Sequence, residues 1–331
     1  MKVITAASHG NSEQEMRKVF CDTLIDLADR DARIVLLDAD LMNAAGTKRF
    51  QARYPERTFD CGVQEANMIG VAAGLSATGM IPFTHTFSPF ASRRACDQIF
   101  MSCLYAKQNV KIIGSDPGIT AALNGGTHMP FEDVGILRTM PGITIVEPAD
   151  PIAVEAIVRL AAKTEGTWYI RLMRRNVPVI YEAGTEFHVG KANQLCDGTD
   201  VTIIAEGFCV AESLKAAEML KDDGISARVI DMFCLKPLDE EAVAAAVRDT
   251  GAIVTAENHN VINGLGSAVA DALMKRGCFI PLEKVGVQDE FGEVGPVPYL
   301  AERFHITATD IAEKAKRAVE RKTGATAKGE A

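Results

Sequence analysis

The first residue in this chain that could do chemistry is a carboxylate at the mouth of an apolar run. In "FDCGVQEANMIGVAAGLSATG" (59–79), Glu65 follows Gly62 and precedes residues that are almost all small or apolar. An acid in the first turn of a helix is favoured by the macrodipole, and that reading needs no function. The surroundings support a second one. A carboxylate in apolar company resists ionisation unless a basic or donor group meets it, and a ligand nitrogen would serve.

Two further segments carry candidates. "HTFSPFASRRACDQIF" (85–100) sets Phe87 and Phe90 at a strand-to-helix corner, where they pack a core or wall a ligand; Arg93 and Arg94 read as solvated helix residues. "NGGTHMPFED" (124–133) is loop chemistry, with Gly125 and Gly126 suited to unusual dihedrals. His128 in that loop either satisfies a buried backbone group or titrates as an acid–base group. "GLGSAVADAL" (264–273) lacks the GxGxxG spacing and an abutting strand. There is no P-loop, GxSxG or HExxH, and none of the eight cysteines forms a CxxC pair, so neither a zinc cluster nor a disulfide frame is suggested.

These residues need elements to position them. "RIVLLDAD" (33–40), "IPFTHTF" (81–87), "VKIIGS" (110–115), "ITIVEP" (143–148) and "TWYIRLM" (167–173) read as buried strands. Helical patterns occupy 12–30, 65–78, 89–107, 131–140 and 150–164, the last opened by an Asp150 cap and Pro151. This alternation implies a mostly parallel sheet covered on both faces. A polar stretch breaks the rhythm near 184–190, and a shorter pattern follows with strands at 201–207, 227–232, 252–258 and 282–287. The expected fold is two doubly wound α/β domains, 1–185 and 190–322, with a flexible tail over 323–331. In such sheets ligands bind beyond the carboxyl ends of the strands. Asp38, Asp40, Glu65, His85, Phe87, Asp116, Asn124 and His128 all fall there.

The composition narrows the partners. A chain of 331 residues with formal charge -9 has no broad phosphate-backbone footprint, which argues against nucleic acid. Its start has too short an apolar stretch for a signal peptide, and no apolar run reaches bilayer length. A reduced, cytoplasmic setting is expected.

Taken in order, "DADL", "CGVQEANMIGVAAGLSATGMIPFTHTFSPFASRRACDQI", "NGGTHMPFEDVGILRTMPGITIVEPAD", "RLMRRNVP" and "ENHNVINGLGSAVADAL" through "VGVQDEFGEVGP" resemble the second half of the transketolase family. The resemblance runs over roughly 12 to 310. It implies a pyrimidine-binding domain followed by the family's C-terminal domain, as in the small subunit of a split transketolase. It further implies that Glu65 bonds the aminopyrimidine of thiamine diphosphate and that Phe87 and Phe90 stack on it. Arg93 falls where many members carry a tyrosine of that wall, and Asp40 matches an acid near the cofactor and subunit interface. By the same resemblance His128 faces the substrate, and Arg17 and Arg174 take the sugar's terminal anion.

Three positions depart from the family pattern. Asp116 stands where a phosphate-contacting histidine is usual, Asn124 replaces an aspartate that recognises a substrate hydroxyl, and Ala44 sits near the usual phosphate-binding serine. A modified or differently charged sugar is therefore expected in place of the standard pentose phosphates. The GDG…N segment that holds the diphosphate and Mg²⁺ is missing, which implies a separate pyrophosphate-domain subunit and a dimer of heterodimers, a heterotetramer. The alternatives on the same scaffold are a 2-oxoacid dehydrogenase beta-type subunit, a deoxyxylulose-phosphate-synthase-like enzyme, and a non-catalytic scaffold. His259 is left without a role.

Overall fold

The computed structural model describes residues 2–6 and 9–329, with side chains to residue 324. β-Branched, apolar runs form the central strands β1 (Ile34–Asp38), β3 (Ile81–Phe87), β4 (Lys111–Ser115) and β6 (Trp168–Leu172), each buried along its whole length. Burial on both faces is what parallel strands between helical layers require. With β2 (Thr58–Asp60), β5 (Thr144–Val146) and β10 (Cys234–Lys236) they make a seven-stranded sheet ordered β10-β5-β6-β4-β3-β1-β2. The second sheet is five-stranded, ordered β12-β11-β8-β9-β7, from β7 (Asn193–Cys196), β8 (Val201–Ala205), β9 (Ala227–Asp231), β11 (Ile253–Asn260) and β12 (Leu282–Val287). Both sheets are parallel except at one edge each, where β10 runs against β5 and β7 against β9.

The sequence pattern marks the long strands and misses β2, β7 and β10, which have three or four residues and no periodicity to detect. β10 is the instructive case. Its residues belong to the second half of the chain, yet it pairs with β5 of the first sheet. The expected helix over 89–107 is present from Phe90 to Tyr105, but wound in wide π-turns at both ends. The last helix, Ala308–Gly329, continues through most of the segment expected to be a tail. Residues 330 and 331 lie outside the described residues.

A fully buried ion cluster pins the two halves together. Arg171 on β6 donates through Nε to Asp133 Oδ2 at 2.9 Å, through Nη1 to Glu147, and through Nη2 to the Asn258 carbonyl at 3.1 Å. A buried guanidinium is tolerable only when its donors are so occupied. His259 lies in the same seam: Nδ1 donates to the Asn260 carbonyl at 2.7 Å and Nε2 accepts from Gly135 N–H at 3.3 Å. Burial holds its pKa down to about 4, which keeps the ring neutral for that acceptor role. His259 thus serves the joint between domains. Asp150 caps the helix Pro151–Lys163 as expected, and its second oxygen accepts from Ile180 and Tyr181 N–H at 2.8 Å each.

Candidate active site

Glu65 is the first residue of the helix Glu65–Ala77 and is 1% exposed. Thr86 on β3 donates to its Oε1 at 3.0 Å, and Arg94 Nη1 donates to its Oε2 at 2.8 Å. The apolar run after Glu65 lets this helix pack on β3, which brings Thr86 under the carboxylate. Each carboxylate oxygen keeps a lone pair for another donor. Arg94 lies over the Phe90 ring, 3.9 Å from its centroid. From the sequence, Arg94 is expected in solvent and Arg93 in the cofactor wall. Both guanidinium side chains stay nearly half exposed; Arg93 turns to Glu132, while Arg94 reaches the buried acid.

Phe87, Phe90 and His128 form an aromatic triangle beside that carboxylate. Their ring centroids are 6.3 Å (Phe87–Phe90), 5.7 Å (Phe87–His128) and 5.2 Å (Phe90–His128) apart, all edge to face. His128 Nδ1 pairs with Thr127 Oγ1 at 2.9 Å, which leaves Nε2 as the ring's other polar atom. The loop carrying it needs its glycines. A Cβ on Gly126 would sit 2.1 Å from the Gly292 carbonyl oxygen, and one on Gly125 would meet Val294 at 2.7 Å. A loop of the second domain therefore braces the histidine. Asn124 is exposed on the preceding turn.

A cluster of guanidiniums lies at the other end of the site. Arg17 Nη1 and Arg174 Nη1 converge on the Ala44 carbonyl at 3.0 and 3.3 Å. Arg174 also lies 4.9 Å from the Phe87 ring centroid and donates Nε to Asp116 Oδ2 at 2.7 Å. Asp116 is buried, with φ of 55°. The sequence alone casts this acid as a repeller of phosphate; the structure adds that it is the ion-pair partner of Arg174. Asp40 is exposed with φ of 61°, its N–H donating to Asp60 Oδ1 at 3.0 Å.

One arrangement is not legible in the sequence. Asp38 and His85 are register partners on β1 and β3. His85 Nδ1 lies 3.1 Å from Asp38 Oδ2, and Nε2 lies 3.0 Å from Ser115 Oγ. The order resembles a nucleophilic triad, but all three side chains are buried and give no substrate access. It ties the ends of three strands under Thr86 and Phe87. Parallel register between the strand ends is the signal that could have found it. Among the described residues no group of three His, Cys, Asp or Glu could hold a metal ion, and no helix is long and apolar enough to cross a membrane.

Comparison with known proteins follows the same outline. The family profile "Transketolase, pyrimidine binding domain" matches residues 12–179, and "Transketolase, C-terminal domain" matches 190–311. The chain is 53% identical over 310 residues to the 6-deoxy-6-sulfo-D-fructose transketolase subunit SqwH of Clostridium sp. (strain MSTE9), covering 94% of this chain and 96% of that protein. It is 38% identical to one of the subunits of the apulose-4-phosphate transketolase of Phocaeicola vulgatus, over 83% of this chain and 88% of that one. A solved structure described as a split gene transketolase, inactive beta4 tetramer, superposes with a TM-score of 0.86 at 42% identity, covering 94% of this chain and all of that one.

Proposed function

This chain belongs to the transketolase family, and from that premise we propose that it is the small subunit of a thiamine diphosphate-dependent split transketolase acting on sulfonated or similarly acidic sugars. The observation that carries the reading is Glu65, a buried carboxylate at a helix start, open to a further donor beside the Phe87–Phe90–His128 triangle. Those residues fit an aminopyrimidine. The acid accepts from a ring N–H, and the rings offer apolar faces once Arg94 withdraws. When bound, thiamine diphosphate would supply a nucleophilic carbon to carry a two-carbon ketol unit and a cationic ring to take up its electrons.

The chain's own residues do the rest. Glu65 holds the proton at the pyrimidine ring nitrogen, and Thr86 keeps its carboxylate in that orientation. Phe87 and Phe90 fix the ring plane and exclude water. His128 faces the sugar and exchanges a proton with its oxygen through Nε2, with Thr127 on its other nitrogen. Arg17 and Arg174 orient the sugar's anionic end, a role guanidinium forks suit. Asn124 meets a hydroxyl at the mouth. Asp40 lies toward the partner subunit, which supplies the diphosphate and Mg²⁺ site in a cytoplasmic heterotetramer, and Arg93 borders the pyrimidine wall.

The substrate class follows from the relative that is 53% identical, whose name gives a 6-sulfonated ketose. The test is reconstitution with a transketolase pyrophosphate-domain subunit, thiamine diphosphate and Mg²⁺. Ketol transfer from 6-deoxy-6-sulfo-D-fructose is expected. No transfer from any sulfonated, phosphorylated or branched ketose overturns the proposal, and release of CO₂ from pyruvate would transfer the assignment to a 2-oxoacid decarboxylating enzyme.

A further inference from the structure

Resting on the reading above, we propose that Asp116 makes the anion end of the site select a monoanionic sugar terminus, a sulfonate, over a dianionic phosphate. The arginines at this end are already largely occupied. Arg174 gives Nε and Nη2 to Asp116, and Nη1 to the Ala44 carbonyl. Arg17 gives Nε to Glu15 at 2.7 Å and Nη1 to the same carbonyl. Arg175 gives Nη1 to the other oxygen of Glu15 at 3.2 Å. Three guanidiniums therefore face two carboxylates, and the cluster keeps a single net positive charge. A cavity of about 180 Å³ beside Asp116 and Arg174, between the domains, brings in one more acid, Glu212. Glu212 is itself engaged by Lys215 at 2.6 Å and by Ala308 N–H at 2.9 Å, so it adds no net charge.

A sulfonate and a phosphate monoester present the same tetrahedral three-oxygen head, so the shape of the guanidinium forks cannot separate them. Charge can. The phosphate carries about −1.5 to −2 at neutral pH with a second pKa near 6, whereas a sulfonate stays at −1. One net positive charge balances the sulfonate and leaves the phosphate in excess. The excess is felt because the Asp116 side chain is only 3% exposed, where water screens little. The Ala44 carbonyl adds a fixed dipole of the same sign, since it accepts from both arginines and stands between them.

The experiment compares one ketose carrying either a 6-sulfonate or a 6-phosphate as donor, in the reconstituted holoenzyme, for wild type, Asp116→Asn and Glu15→Gln. Asparagine tolerates the left-handed backbone at position 116 as aspartate does, so this variant keeps the local conformation. Wild type is expected to prefer the sulfonate in kcat/KM, and Asp116→Asn to raise the phosphate-to-sulfonate ratio by roughly tenfold or more. Glu15→Gln should move it the same way by less, since Glu15 is more exposed. In wild type the phosphate donor's KM should fall as pH drops toward about 5.5 and its head becomes a monoanion, while the sulfonate's stays flat; Asp116→Asn should lessen that difference. Transfer from the sulfonate with a ratio that neither variant moves overturns this inference and leaves the proposed function standing. Transfer from neither donor overturns the proposed function. The inference is then decided by titrating the complex with 2,3-dihydroxypropane-1-sulfonate and glycerol 3-phosphate: tighter binding of the phosphate by wild type, or equal selectivity in wild type and Asp116→Asn, refutes it.

Discussion

Arg94 holds Glu65 at 2.8 Å while its guanidinium covers the Phe90 ring at 3.9 Å, so one side chain occupies both surfaces a heterocycle would use. Because the arginine is 43% exposed, it can leave for water without stranding its charge. Glu65 cannot leave.

This asymmetry gives the first prediction. Arg94→Ala should destabilise the chain without partner by about 1–3 kcal/mol, the cost of removing a charged donor from a buried carboxylate. In the reconstituted complex with thiamine diphosphate the deficit should shrink, because a ring N–H replaces the lost donor. Calorimetric melting of both forms measures it; an equal deficit in the two contradicts the replacement.

Glu65→Gln keeps the shape and removes the charge. Its expected effect is a fall in kcat of about 10²–10⁴-fold, the usual contribution of a general acid–base group, with unfolding cooperativity retained. Steady-state rates and far-ultraviolet circular dichroism on the same preparation decide it.

Gly126→Ala tests the brace on His128. The added methyl would fall 2.1 Å from a backbone oxygen, and neither partner is a flexible side chain. The loop has to shift, and a displacement near 1 Å at a reacting group costs on the order of a hundredfold in rate. Stability should fall by only about 1–3 kcal/mol, as for other overpacked sites. Wild-type turnover would mean that the loop does not set the histidine's position.

The pH dependence of stability has a sign that can be worked out at Asp231. Burial pushes this acid from 3.8 up to about 8, with the Tyr181 hydroxyl opposing the shift. Between those values the folded chain holds a proton that the unfolded chain has released, so stability falls as pH rises through that window. Burial lifts Glu257 to about 7, which acts in the same direction, whereas His259, lowered from 6.5 to about 4, opposes it on the acid side. Asp231→Asn removes one titrating group. Urea unfolding should then show a slope shallower by about 1.4 kcal/mol per pH unit between roughly pH 5 and 7. An unchanged slope would place the proton elsewhere.

How far the sequence is readable depends on the range over which each feature is decided. The buried strands and the Asp150 cap are local patterns and are visible in it. Glu65 and His128 stand out by residue type beside glycines, Phe87 and Phe90 by their place at a strand-to-helix corner, and the structure gathers all four at one set of strand ends. Arg93 and Arg94 are not separable. On a π-wound turn, which of two adjacent residues faces inward depends on the winding, and ordinary helical spacing does not report it. The pairing of Asp116 with Arg174 and of Asp38 with His85 spans 58 and 47 residues and is decided only when strands align.

The strand Cys234–Lys236 has its sequence in one half of the chain and its hydrogen bonds in the other. Excising the first α/β unit would strip the border of Thr144–Val146 and leave bare amides and carbonyls that recruit foreign strands. Recombination can therefore exchange the two units only as a bonded couple, and a hybrid joined at the linker inherits a mismatched selvedge.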